Sequence, residues 1–143
     1  MPDPDSRPYL KPLPYLEAED RPYFEALQRH ELYFQRCREC GRSQFHPRAL
    51  CCHCLAPHPQ WCKSAGRGRL YSFSVTHHSP LPGFRESTPY IIAYVEIEDG
   101  LRLLANLVDC TPAEVKIGME VEAVFAPATA EITLVNFRPA RPA

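Results

Sequence analysis

No run of the 143-residue chain approaches the ~18 consecutive apolar residues that a membrane helix needs. No secretory leader opens it, so the expectation is a soluble, cytoplasmic protein with no membrane partner. The chain lacks a G-x-S-x-G elbow, a P-loop and a dinucleotide fingerprint, the commonest local marks of acyl hydrolysis, nucleotide hydrolysis and nicotinamide binding. It has no internal repeat. An excess of one charge is missing too: 16 basic against 17 acidic residues is not the balance of a general nucleic-acid binder. A hydrophobic fraction of 45% excludes a wholly disordered chain. At this length a chain buries roughly 68–70% of its unfolded surface, enough for one ordinary domain or two small modules sharing a core.

What is present in quantity is proline and cysteine. The 16 prolines argue against long helices, because each removes a backbone donor and crowds the preceding turn. Five of the seven cysteines (Cys37, Cys40, Cys51, Cys52 and Cys54) fall together, with Cys62 and Cys110 apart. A disulfide framework would use an even number spread along a secreted chain. An odd, clustered set points to metal in a reducing compartment.

Charge is unevenly placed. Residues 36–69 hold seven bases and one acid, Glu39, a net of +6, against nine bases and sixteen acids elsewhere, −7. Four thiolates on a dication would subtract about two charges and still leave a basic segment. Residues 1–16, with five prolines, read as an extended arm whose apolar positions are Tyr9, Leu10, Leu13, Tyr15 and Leu16. Asp20 and Pro22 open a short amphipathic helix carrying Tyr23, Phe24, Leu27 and His30, and residues 31–36 suit a strand leading into Cys37.

Beyond the cysteines the period turns to two. Leu70–His78 alternates, with Tyr71, Phe73, Val75 and His77 expected on one face. Tyr90–Glu98 alternates again through Ile91, Ala93, Val95 and Ile97. Asp99-Gly100 is a type I′ hairpin signal, with Leu101–Val108 as the returning strand; Met119–Phe125 and Glu131–Phe137 add two more, and Thr111–Lys116 suits a short helical turn. Five short strands fit a Greek-key barrel of the OB type, with an open sandwich as the other arrangement.

Cys37-x2-Cys40 and Cys51-x2-Cys54 are the most specific feature of the chain. Each turn lets two sulfurs reach one ion, and two such knuckles complete a tetrahedral four-sulfur site, the closed structural form for zinc. The ten-residue spacer requires a compact approach, and Gly41 suits the strained end of the first knuckle. Cys52 and His53 stand as competing ligands, and iron as in rubredoxin fits the same four sulfurs. With four protein ligands no position is open for substrate.

Other groups carry weaker signals. His77 and His78 would need Asp99 or Glu96 beside them to act as an acid–base dyad, and nothing in the sequence brings these together. Cys62 and Cys110 read as ordinary small core thiols. Tyr71, Phe73, Tyr90 and Tyr94 offer stacking faces for single strands, so a single-stranded nucleic-acid module is the alternative reading; the acidic C-terminal half opposes it.

Taken together, these residues resemble the zinc-ribbon/OB-fold proteins found beside thiolases and other acyl-CoA enzymes, long filed as a domain of unknown function. The resemblance covers about residues 20–138. It rests on the helix running into Cys37-Arg38-Glu39-Cys40-Gly41, on His46-Pro47-Arg48 and on the second knuckle. Gly66-Arg67-Gly68-Arg69-Leu70-Tyr71-Ser72-Phe73, Pro89-Tyr90 and Ile117-Gly118-Met119-Glu120-Val121 extend it. Two positions depart from the family: Cys52 stands where proline is frequent, and His46-Pro47-Arg48 replaces Pro-Pro-Arg.

Between a Pro-rich arm over 1–19 and a tail over 139–143, the resemblance implies a mainly β chain: helix and lead-in strand over 20–36, a rubredoxin-like zinc ribbon over 37–65 and a five-stranded OB barrel over 66–138. It implies a non-catalytic accessory subunit of a thiolase-superfamily enzyme performing acyl transfer, condensation or retro-aldol cleavage of CoA thioesters. Arg48, Arg67 and Arg69 are the candidates to meet CoA phosphates, since arginine pairs with phosphate through two parallel hydrogen bonds.

Overall fold

The computed structural model describes residues 8–142; Pro2 and Pro4 of the arm, and Ala143 of the tail, lie outside them. Helix α1 (Arg21–Gln28) begins with proline in its first turn, where the missing N–H costs nothing. It buries Tyr23, Ala26 and Leu27, the three-to-four spacing of one helical face. His30 ends it in the left-handed region at φ 60° and stacks on Phe125 at 5.2 Å. The Gln28 amide donates to the Glu131 carbonyl. The helix is thereby laid on the barrel.

Strands β1 (Tyr33–Arg36), β2 (Ser43–Gln44) and β3 (Gln60–Lys63) form a small sheet in the order β2-β1-β3. The lead-in strand is its centre. Strands β4 (Arg67–Thr76), β5 (Tyr90–Glu96), β6 (Arg102–Leu107), β7 (Glu120–Pro127) and β8 (Thr133–Pro139) close a barrel in the order β4-β5-β6-β8-β7. This closure decides against the open sandwich. Leu70, Ala93, Val95, Leu103, Val121 and Phe137 fill the interior.

Asp99 (φ 57°, ψ 21°) and Gly100 (φ 71°) make the tight turn between β5 and β6, with the Leu101 N–H bonded to the Glu98 carbonyl at 3.1 Å. The turn at Pro112–Glu114 also forms, its N-terminal Thr111 N–H and hydroxyl both given to the Glu114 carboxylate.

One expected face is corrected. Leu70 pairs with Val95 and Ser72 with Tyr94, so Tyr71 is the extra residue of a bulge. The bulge resets the alternation: Leu70 and Phe73 point inward while Tyr71 lies outside under the Arg102 guanidinium, 3.6 Å from its ring centre. The described arm is not free. Tyr9, Lys11, Pro12 and Leu13 line a groove with Leu27, Phe84 and Leu104, and Lys11 Nζ sits 5.2 Å over the Phe84 ring.

The turn between β5 and β6 reaches back to the small sheet. One Asp99 oxygen accepts from Arg36 on β1 and from Ser43 on β2, both at 2.6 Å. The next carboxylate, Glu98, accepts from the Ser64 hydroxyl at 2.9 Å and the Ala65 N–H at 2.7 Å, in the link to β4. The Ser43 hydroxyl and then Arg36 hold the Asp99 carboxyl below the usual carboxylate range.

Candidate metal centre

The two knuckles repeat one another. In the first, Cys37 Sγ accepts the N–H groups of Glu39 and Cys40 at 3.4 Å, and the Gly41 N–H returns to the Cys37 carbonyl. In the second, His53 N–H donates to Cys51 Sγ at 3.4 Å and Leu55 N–H returns to the Cys51 carbonyl. Both turns close on a left-handed residue, Gly41 at φ 74° and Leu55 at φ 64°. Glycine meets that need without strain; leucine, with its side chain 71% exposed, does not. Leu55→Gly is therefore expected to stabilise the metal-loaded chain by about 0.5–1 kcal/mol, measured by urea denaturation at fixed metal. An unchanged midpoint would contradict the strain.

The sulfurs of Cys37, Cys40, Cys51 and Cys54 all lie within 4.8 Å of one another. Cys37 and Cys54 sulfurs are 3.5 Å apart, and those of Cys40 and Cys51 3.7 Å. A tetrahedron with metal–sulfur bonds of about 2.3 Å has edges of about 3.8 Å, so the donor set fits one structural metal ion. Cys37 and Cys51 are buried; Cys40 and Cys54 face solvent.

The thiols are inequivalent. Burial raises Cys51, but N–H donors from Cys54 and His53 and the neighbouring thiols outweigh it and bring it to about 6. The Ala56 N–H lowers Cys54, yet Cys37, burial and the other thiols overcome this and push it to about 12. A bound dication favours the thiolate form at all four sulfurs, because its ligands must be deprotonated.

Cys52 and His53 stay outside the cluster. The Cys52 N–H donates to Gln44 Oε1 at 2.8 Å with its side chain exposed. The His53 ring lies between Arg42 Nη1 (3.5 Å) and the Ser43 carbonyl (3.3 Å). Cys62 sits half-buried on β3, and Cys110 beyond β6.

The dyad is not assembled. His77 and His78 are exposed after β4, while Asp99 serves Arg36 and Ser43, and Glu96 holds Arg102 at 3.1 Å. The aromatic residues do not make one platform either, since Phe73 is interior, Tyr71 exterior, and Tyr90 packs on Phe84.

The three arginines are not brought to one place. Arg67 and Arg69 flank a depression on β4 and β7, each 3.8 Å from an acid of β7, Glu122 and Glu120. Glu122 in turn accepts from Arg138 at 2.9 Å, which holds its carboxyl low. Arg48 lines a separate groove beside the knuckles, together with Arg38. Sequence reasoning passed over Arg38. Its only signal was its place one residue after a ligand cysteine.

A four-sulfur ribbon joined to a closed barrel in this strand order defines a rubredoxin-like ribbon/OB-fold protein. The family models agree: the ChsH2 rubredoxin-like zinc ribbon domain matches residues 24–58 and the ChsH2 C-terminal OB-fold domain residues 61–126. A DUF35 domain-containing scaffold protein of Methanocaldococcus jannaschii is 40% identical over 99 residues, covering 68% of this chain and 70% of that one. A probable enoyl-CoA hydratase alpha subunit of Thermomonospora curvata is 40% identical over 133 residues, 93% of this chain but 41% of that protein. The benzoylsuccinyl-CoA thiolase subunit BbsA of Geobacter metallireducens is 35% identical over 72 residues, covering 50% of this chain and 47% of that one.

Among solved structures, a chain of the Ltp2-ChsH2(DUF35) aldolase superimposes with a TM-score of 0.80 at 37% identity, covering 89% of this chain and 98% of that one. The chain belongs to the DUF35 family of ribbon/OB-fold proteins. It spans less than half the length of the hydratase subunit it resembles. Among the described residues no helix is long and apolar enough to cross a membrane.

Proposed function

We propose that this chain is a non-catalytic accessory subunit of a thiolase-like acyl-CoA enzyme, with Cys37, Cys40, Cys51 and Cys54 holding a structural zinc ion. The reading rests on one observation above the rest: similar proteins are named as scaffold proteins, as a probable enoyl-CoA hydratase subunit, as a benzoylsuccinyl-CoA thiolase subunit, or as part of an aldolase. The site chemistry supports it. Four sulfurs leave no coordination position for water or substrate, and among the described residues His77 and His78 are not paired with a carboxylate. The reacting groups then belong to the partner, and this chain supplies shape and, through Arg48, contact with the CoA phosphates. Arg67 and Arg69 face acids and contribute less.

Capture of the tagged full chain from cells co-expressing a thiolase-like subunit encoded beside it tests this. The expected result is a stoichiometric complex carrying one zinc per copy of this chain and no activity from this chain alone. Recovery of nucleic acid with no acyl-CoA enzyme would overturn it, and a coloured, iron-loaded chain would overturn the metal assignment.

A further inference from the structure

The parallel pairing of β6 with β8 is registered at a single residue pair, Leu107↔Phe137, where the Val108 N–H donates to the Phe137 carbonyl at 2.7 Å. Ahead of it, residues 104–106 and 134–136 are not paired with each other. Strand edges that part inside a barrel leave a wedge for other elements to cover. Here Tyr23, Phe24 and Leu27 of α1 stand against the wedge and the arm crosses it, enclosing a cavity of about 600 Å³. A second cavity of about 320 Å³ shares four wall residues with the first: Lys11, Phe84, Asn106 and Asn136. Both volumes lie in or near the range of small-molecule sites.

The walls are apolar with one exception in charge. Lys11 is the single charged side chain lining either cavity, and no acid faces it. Among the described residues Lys11 makes no ion pair, and its ammonium is held 5.2 Å over the Phe84 ring. Asn106 gives its amide to the Ile91 carbonyl at 3.1 Å. Asn136 is half-buried and its side-chain amide has no partner among the described residues, so it can donate beside Lys11. One cation and one amide donor at the junction of two apolar cavities match a singly charged head on a hydrocarbon body. A phosphate would call for the arginine forks that this wall lacks.

The arm is a cover rather than a strand. Among the described residues no hydrogen bond joins positions 8–16 to the barrel, and the contact is packing alone. Pro12 and Pro14 carry no N–H to offer the open edge of β6. Gly83 marks the closest approach, since a Cβ there would lie 2.9 Å from the Leu10 carbonyl carbon and 3.0 Å from the Lys11 nitrogen. The arm can therefore lift to admit a ligand, and Lys11 moves with it.

We infer that the cleft under the arm is a binding site for a free apolar carboxylate, with its chain between α1, β6 and β8 and its head on Lys11 and Asn136. This goes beyond the accessory role. The site shares no wall residue with the groove beside the metal knuckles.

Calorimetric titration of the metal-loaded full chain with octanoate, 1-octanol and octylammonium separates the head from the chain. The expected result is one saturable octanoate site per chain, about tenfold tighter than octanol, the effect of one charge-assisted hydrogen bond. Octylammonium should find no site. Lys11→Gln should bring octanoate down to the affinity of octanol, whereas Lys11→Arg, which keeps the charge, should stay close to the parent chain. Ala126→Leu, which fills the apolar end, should abolish both while metal content and the urea midpoint hold. Methyl labelling then places the bound chain: Leu104 and Leu134 in the cavity wall should shift, and Leu50 and Leu55 by the second knuckle should not.

A chain silent to octanoate, octanol binding as tightly as octanoate, or unchanged octanoate affinity in Lys11→Gln would overturn the site. Equal shifts at all four leucines would reduce the binding to unspecific adsorption and overturn it too. A chain that captures its thiolase-like partner but takes no octanoate loses this site and keeps the accessory role; one that takes octanoate through Lys11 but captures no partner does the reverse.

Discussion

Replacing Cys37 or Cys54 by serine is expected to strip the metal from the chain and unfold the small sheet of β1–β3, while Cys62→Ser leaves both in place. A structural zinc in a small module is worth on the order of 10–16 kcal/mol of apparent binding, and a neutral hydroxyl is a poor replacement for a thiolate. The sheet it supports has only two-to-four-residue strands, which cannot offset that loss by burial. Cys62 reaches only the Gln60 carbonyl, at 3.8 Å. Metal content by atomic emission and the emission of Trp61 on β3 check the outcome together. The barrel keeps its own core of Leu70, Val95, Val121 and Phe137, so the far-ultraviolet strand signal should survive. Equal metal occupancy in all three variants would remove Cys37 and Cys54 from the ligand set.

The second large effect is expected at Gly68. A Cβ there would overlap the Glu96 carbonyl and lie 2.9 Å from Val95 Cγ1. Both neighbours belong to β5, and the carbonyl cannot rotate away as a side chain would. Gly68→Ala must push β4 from β5 next to the point where β7 closes the barrel, at Gly68↔Val121. Overpacking of this kind costs about 3 kcal/mol. Gly118→Ala, with nothing near its Cβ but a φ of +85°, should cost only about 1 kcal/mol. Urea denaturation of the two variants separates crowding from backbone strain, and equal losses would mean that β4 and β5 part freely at this point.

Much of this architecture is legible in the chain. Paired Cys-x2-Cys spacing, Asp99-Gly100 and the alternation through Ile91, Ala93, Val95 and Ile97 are local signals, and each decides the conformation of its own few residues. Tyr71 was misplaced because a bulge is created by the pairing of two strands; its sequence alternates as a regular strand does. Arg67 and Arg69 read as free charge because Glu122 and Glu120 are more than 50 positions away. The buried pair Gln35 and Gln44, joined at 2.7 Å, was invisible for a different reason: polar residues read as surface until burial shows otherwise. The arm read only as an extended, Pro-rich segment, and its described part lines a groove with Leu27, Phe84 and Leu104.

The grip of Asp99 on Arg36 and Ser43, and of Glu98 on Ser64 and Ala65, bears on how such chains can be recombined. A crossover placed between β3 and β4 looks natural on the sequence, because it separates the cysteines from the alternating strands. It would cut through four hydrogen bonds whose acceptors are the carboxylates of two consecutive residues, Glu98 and Asp99. A ribbon transplanted onto a foreign barrel therefore has to travel with the tip of the β5–β6 hairpin. Without it, Arg36 and Ser43 lose their shared acceptor, and the graft tilts on its tether.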